Sequence, residues 1–152
     1  MPGTLSYDLH KLTARLDRAA DGLLRREAGV SYSRFLTLFA VRESGGSQRD
    51  LARWLGLTEP SASRMVAVLA DEGLLRVIKQ AGAGNRRQLQ LTADGAGLVQ
   101  RCGRMLEGRF EALVRGSGVP YEEYHRQTRR LLAGLEATES APQAGPERLG
   151  PA

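Results

Sequence analysis

Cysteine is nearly missing from this chain: Cys102 stands alone among 152 residues, so no intrachain disulfide can staple the fold. Histidine is almost as scarce. His10 and His125 lie far apart with no Cys or second His at zinc-ligand spacing, which argues against a metal site and leaves both as structural or solvated residues. No run approaches the roughly 18 apolar residues a membrane helix needs, and the first thirty residues hold no apolar stretch followed by a cleavage site. An intracellular, cytoplasmic protein without metal or membrane contact is expected. Catalytic patterns are missing too, since there is no Ser/His/Asp order, no Gly-rich phosphate loop beside a Lys and no pair of carboxylates in a plausible cleft. Neither an enzyme nor a cofactor is expected. Lysine occurs only at Lys11 and Lys79, so the basic side chains are almost all arginine, and 22 basic against 17 acidic residues leave a formal charge of +5. That balance suits a polyanionic partner, nucleic acid first.

What is present is amphipathic helix. Leu5, Leu9, Leu12, Leu16, Ala19, Ala20, Leu23 and Leu24 recur at three- and four-residue spacing, one face of a long first helix that Gly29 ends. Ser31 can cap a second helix whose Phe35, Leu36, Leu38, Phe39 and Val41 make it apolar over much of its circumference, as expected of a buried central element. Gly45 and Gly46 then break the chain. Beyond Gly73, Arg76 to Gln80 and Arg87 to Leu91 read as two strands of a hairpin around the glycine-rich stretch Ala81 to Asn85. Thr92 caps a long helix with Leu98, Cys102, Met105, Leu106, Phe110 and Leu113 on one face, which makes Cys102 a small buried hydrophobe rather than a redox thiol. Pro120 introduces a last helix carrying Tyr124, Thr128, Leu131, Leu132 and Leu135. After Ala137, three prolines and one large apolar residue give too little burial to offset ordering entropy, so 138–152 are expected as a disordered tail.

The junction between residues 47 and 64 carries the most information. Ser47 and Asp50 form a Ser-x-x-Asp start, Leu51, Ala52 and Leu55 face inward, and Gly56 supplies a left-handed stop. Thr58 caps the next helix, Pro60 sits in its first turn where no amide donor is missed, and Ala62, Met65, Val66 and Leu69 mark its inward side. Its other side presents Ser61, Ser63 and Arg64, small hydroxyls and a guanidinium able to approach base edges and phosphates. Two helices joined by a three-residue turn and followed by a basic hairpin with Lys79, Arg86 and Arg87 make a helix-turn-helix with a wing. Between Ser47 and Thr92 seven basic and four acidic residues give +3, most of the chain's excess charge.

Four stretches carry a family resemblance: Ser-Gln-Arg-Asp-Leu-Ala at 47–52, Leu-Thr-Glu-Pro-Ser-Ala-Ser-Arg at 57–64, Leu-Ala-Asp-Glu-Gly-Leu-Leu at 69–75 and Leu-Thr-Ala-Asp-Gly at 91–95. In this combination the chain resembles the MarR family of bacterial winged-helix regulators, from about Leu5 to Ala137. The resemblance implies a homodimer that binds pseudo-palindromic double-stranded DNA as a repressor, with a small aromatic or anionic effector lowering the affinity. It also implies that the start of the second short helix reads the major groove while a wing arginine enters the minor groove. The DNA-facing set is then Ser47, Gln48, Thr58, Pro60, Ser61, Ser63, Arg64, Asn85, Arg86 and Arg87. The wing departs from the family pattern, in which an Asp pairs with the arginine matching Arg64. Asn85-Arg86-Arg87 holds no carboxylate, and counting back from Leu91-Thr92 puts Ala83 and Asn85 at those positions, a shift of about two residues. Arg64 is then either open to phosphate or held by an asparagine.

The expected architecture is mainly α with a two-stranded β-wing: an N-terminal dimerisation helix at 1–30, a winged helix-turn-helix at 31–92, C-terminal dimerisation helices at 93–137 and the tail. Dimerisation also follows from physics, because a small winged core can cover only part of the apolar faces of the terminal helices. Two-fold symmetry would set the recognition helices about 34 Å apart, over half-sites about 10 base pairs centre to centre. Tyr7, His10, Phe35 and Phe39 are candidates to line an effector cleft, although core packing accounts for the two phenylalanines equally well. The alternative from another class is a winged-helix protein-interaction module that does not read DNA sequence.

Overall fold

A computed structural model of the chain describes residues 3–44, 46–79 and 87–140. In order these form α1 (Leu5–Ala28), α2 (Tyr32–Ser44), α3 (Gln48–Leu55), α4 (Glu59–Asp71), β1 (Leu75–Lys79), β2 (Arg87–Leu91), α5 (Ala93–Gly116) and α6 (Tyr121–Ser140). The helical content and single two-stranded sheet are those expected of a winged helix. The described residues fall into two compact units divided between Glu107 and Gly108, inside α5.

In the first unit α2 is the central element, touching α1, α3, α4 and β2. It supplies Phe35, Leu38, Ala40 and Val41 to a core completed by Leu24, Val30, Leu51, Val66, Leu69, Leu75, Leu89, Leu98, Val99 and Cys102. Each leucine buried there contributes on the order of 2 kcal/mol of transfer free energy, several times the worth of an exposed ion pair. Thr37, the buried polar side chain of α2, is satisfied by donating to the Ser33 carbonyl at 2.8 Å. Asp21 of α1 accepts from the Tyr32 N–H at 2.9 Å, and so ties α1 to the first turn of α2. Hydrogen bonds from Arg25 and from that backbone N–H hold its carboxyl below the usual range. This stabilisation is present above the ordinary aspartate value and is lost as pH falls through the lowered one.

The sheet pairs antiparallel with Leu75 opposite Leu91, Val77 opposite Leu89 and Lys79 opposite Arg87. The first strand thus begins at Leu75, one residue before the expected Arg76, because pairing with Leu91 extends the ladder and buries the Leu75 side chain. Its expected end at Gln80 lies outside the described residues. At the sheet's exit Thr92 caps α5: its hydroxyl accepts from the Gly95 N–H at 3.1 Å and donates to the Gly73 carbonyl at 2.7 Å, while its own N–H reaches the Leu74 carbonyl. A Cβ at Gly95 would overlap that same carbonyl oxygen. The Leu-Thr-Ala-Asp-Gly stretch therefore has a steric reason for its glycine.

The apolar face of α5 differs in part from the periodicity. Leu98 and Cys102 are buried and Met105, Leu106 and Phe110 half-buried, but Val99 and Val114 are buried as well and Leu113 is 48% exposed. Burial pushes the Cys102 thiol up, as befits an inert apolar filler. In the second unit Arg115 joins the end of α5 to the start of α6, donating to Glu111 at 2.8 Å and to Glu122 at 2.6 Å, and Phe110 packs on Tyr124. Helix α6 runs to Ser140, past the expected boundary at Ala137, and the rest of the tail lies outside the described residues.

Gly95→Ala should lower the thermal midpoint by several degrees, since overpacking costs about 1–3 kcal/mol, against roughly 1 kcal/mol regained in helix propensity. Gly103→Ala on the same helix, where a Cβ meets nothing within 4 Å, should raise it instead. Circular dichroism melts of both variants check the contrast.

Candidate nucleic-acid interface

The candidate site is assembled by caps. The Ser47 hydroxyl accepts from the Asp50 N–H at 3.3 Å, and the Asp50 carboxylate accepts in return from the Ser47 N–H at 3.1 Å and hydroxyl at 2.8 Å, a reciprocal capping box. Those Ser47 donors, aided by Arg53 and Arg49, hold the Asp50 carboxyl below the usual range. Ser47 also forms a β-bridge with Gln88, and the Leu89 N–H reaches the Gly46 carbonyl at 3.4 Å, so the start of α3 is fastened to β2. At its other end α3 stops at Gly56, whose φ of 64° is reached without the Cβ penalty other residues would meet.

After a turn of Gly56, Leu57 and Thr58, α4 begins. The Thr58 hydroxyl accepts from the Ser61 N–H at 3.3 Å and donates to the Ser61 hydroxyl at 3.0 Å, and Arg64 Nη2 donates to that same Ser61 oxygen at 3.1 Å. Thr58, Ser61 and Arg64 thus form a bonded line at three-residue spacing, with Ser63 exposed nearby and Ala62, Val66 and Leu69 buried on the opposite side. Pro60 occupies the second helical position and is exposed. The line presents hydroxyls that donate or accept beside a guanidinium with donors to spare, at a helix end whose backbone N–H groups favour an anion.

Of the expected site residues, Ser47, Gln48, Thr58, Pro60, Ser61, Ser63 and Arg64 come together around the two helix starts, and Arg87 opens β2. Asn85 and Arg86 lie outside the described residues. Arg64 has a partner that neither sequence alternative named, Ser61 one turn back. Tyr7, His10, Phe35 and Phe39 are not gathered within one chain. Tyr7 and His10 are exposed in the first half of α1, whose buried residues are Leu23 and Leu24, whereas Phe35 is in the core and Phe39 packs between Phe35 and Trp54.

Two residues escaped the sequence reading. Arg49 Nε donates to Glu59 Oε1 at 3.1 Å, linking the first turn of α3 to the first residue of α4. They are ten positions apart on different helices, so no periodicity joins them and only the tight turn does. Among the described residues no group of three His, Cys, Asp or Glu could hold a metal, and no helix is long and apolar enough to cross a membrane.

Residues 28–88 match the family model described as MarR family. No curated protein matches the sequence. Staphylococcus aureus MepR, solved with DNA, is 24% identical at a TM-score of 0.68, over 89% of this chain and 96% of that one. A point mutant of Escherichia coli MarR solved with operator DNA is 17% identical at 0.70, over 86% and 93%. NadR, solved with 4-hydroxyphenylacetate, is 23% identical at 0.74, over 88% and 92%. At these identities the solved structures establish a shared fold, while the match over 28–88 takes in α2, α3, α4, β1 and the first two residues of β2. Over residues 28–88 the chain is thus similar to the MarR family, and its fold is that of the solved MarR-family structures.

Proposed function

We propose that this protein is a sequence-specific regulator of transcription, a repressor, that binds a pseudo-palindromic operator as a homodimer and is released by a small aromatic or anionic effector. The observation that carries the reading is the Thr58–Ser61–Arg64 line at the exposed start of a helix whose other face is locked in the core. Small hydroxyls bring the helix backbone close to base edges, and the guanidinium supplies phosphate or guanine contacts. MepR and MarR, which share the fold, have been solved bound to DNA.

The homodimer is supported by what each unit leaves uncovered. In the first, Leu5, Leu9 and Leu12 are exposed along α1, Leu5 at 73%; in the second, Leu131, Leu132 and Leu135 are exposed along α6, Leu131 at 67%. A second copy related by two-fold symmetry is the simplest cover for such stripes. The effector reading depends on that assembly: for Tyr7 and His10 to meet Phe35 and Phe39 in one cleft, the two α1 residues must come from the other copy. NadR, of the same fold, holds 4-hydroxyphenylacetate, a small aromatic anion.

Ser63→Ala should flatten base preference, and Arg64→Ala should weaken every duplex, as read by fluorescence anisotropy over operator variants. Equal loss on all variants for Ser63→Ala would remove it from the base-reading set. Replacing Arg86 and Arg87 together by Ala should cost about 1–3 kcal/mol and flatten the dependence of affinity on salt. Sedimentation should give twice the 16.5 kDa of one chain, and Leu131→Arg should halve that mass without lowering helix content. A wild-type monomer at micromolar concentration would overturn the dimer.

A further inference from the structure

Resting on the reading that α4 enters the major groove, we propose that Arg49 and Glu59 act together as a base-reading pair that selects one G·C base pair in each half-site. Stability gives little reason for their bond, because the two side chains are 75% and 63% exposed and such pairs contribute almost nothing to folding. Charge gives a reason against it. A carboxylate at the reading end of a helix that meets phosphates opposes binding, and no other acidic residue of this segment stands in the first turn of α4. Asp50 is committed to the capping box of α3, while Asp71 and Glu72 stand at the far end of α4, where Glu72 is bonded to Arg34 at 2.7 Å. Glu59 alone sits at the first position of α4, and its hydrogen-bonded partner there is Arg49.

The chemistry of the pair fits one base pair in one orientation. With Nε donating to Oε1, the guanidinium keeps its Nη donors and the carboxylate its second oxygen, so the pair offers donors followed by an acceptor. The major-groove edge of G·C offers the complement, the N7 and O6 acceptors of guanine followed by the N4 amino donor of cytosine, whereas A·T offers acceptor, donor, acceptor and a methyl group. Because the two charges cancel, the pair adds discrimination rather than general attraction to the duplex.

The test selects an operator from a random-sequence duplex library with the full-length protein, then measures binding to that operator with each base pair replaced in turn. Wild type should lose about tenfold or more at one symmetry-related G·C pair when it becomes A·T. Glu59→Gln should hold that replacement to less than about twofold, since the carboxamide N–H can donate to the thymine O4 that takes the place of the cytosine amino group, and should keep wild-type discrimination elsewhere. Arg49→Gln should lose preference at the same base pair. If Glu59→Gln instead changes affinity for all duplexes by one common factor, Glu59 acts through charge alone and the pair assignment falls, with DNA reading intact. A wild type that enriches no sequence overturns the pair and the reading beneath it together.

Discussion

The seating of Ala62, Val66 and Leu69 against the core is the contact on which the rest depends, because it fixes which side of α4 faces outward. Successive residues on a helix are about 100° apart, so a slip of one position would turn Ser63 inward and bring Arg64 to the edge of the core. Burying an unpaired guanidinium costs more than any surface pair on this molecule can return. The outward line of Thr58, Ser61 and Arg64 is thus held by apolar burial behind it rather than by its own hydrogen bonds.

Polar groups then set the finer geometry. Thr58 both caps α4 and orients the Ser61 hydroxyl, which in turn receives Arg64, so one oxygen couples the start of the helix to its second turn. Ser47 performs a comparable double role, closing the capping box of α3 and bridging to Gln88 in β2. Helix α3 and the sheet therefore share an anchoring residue, and movement of β2 would be felt at the start of α3. On the other side of the sheet, Thr92 and Gly95 press the start of α5 against Gly73 and Leu74, which leaves α5 little freedom where it leaves the wing.

Local features of this architecture were legible from residue order. Gly29, the Ser47–Asp50 box, Gly56, Thr58 and Thr92 each act within four or five positions of themselves, and backbone sterics or a single short hydrogen bond suffices to identify them. The central place of α2 was legible as well, because so apolar a helix has no stable position except under other elements. Amphipathic spacing on the terminal helices was correct as a pattern, yet it did not separate residues covered within the chain from those left bare: Val99 and Val114 are buried while Leu113 and Leu131 are exposed.

By itself, then, the sequence determined the order of helices, their caps, the tight turn and the basic hairpin, since these follow from short-range chain geometry. Folding alone decided who meets whom across elements. Arg64 with Ser61 was within reach of a spacing argument, but Arg49 with Glu59, Arg34 with Glu72, Ser47 with Gln88 and Gly95 under Leu74 were not. Such partners depend on the angles at which packed helices and strands cross, and those angles come from the fit of the whole core rather than from any window of residues.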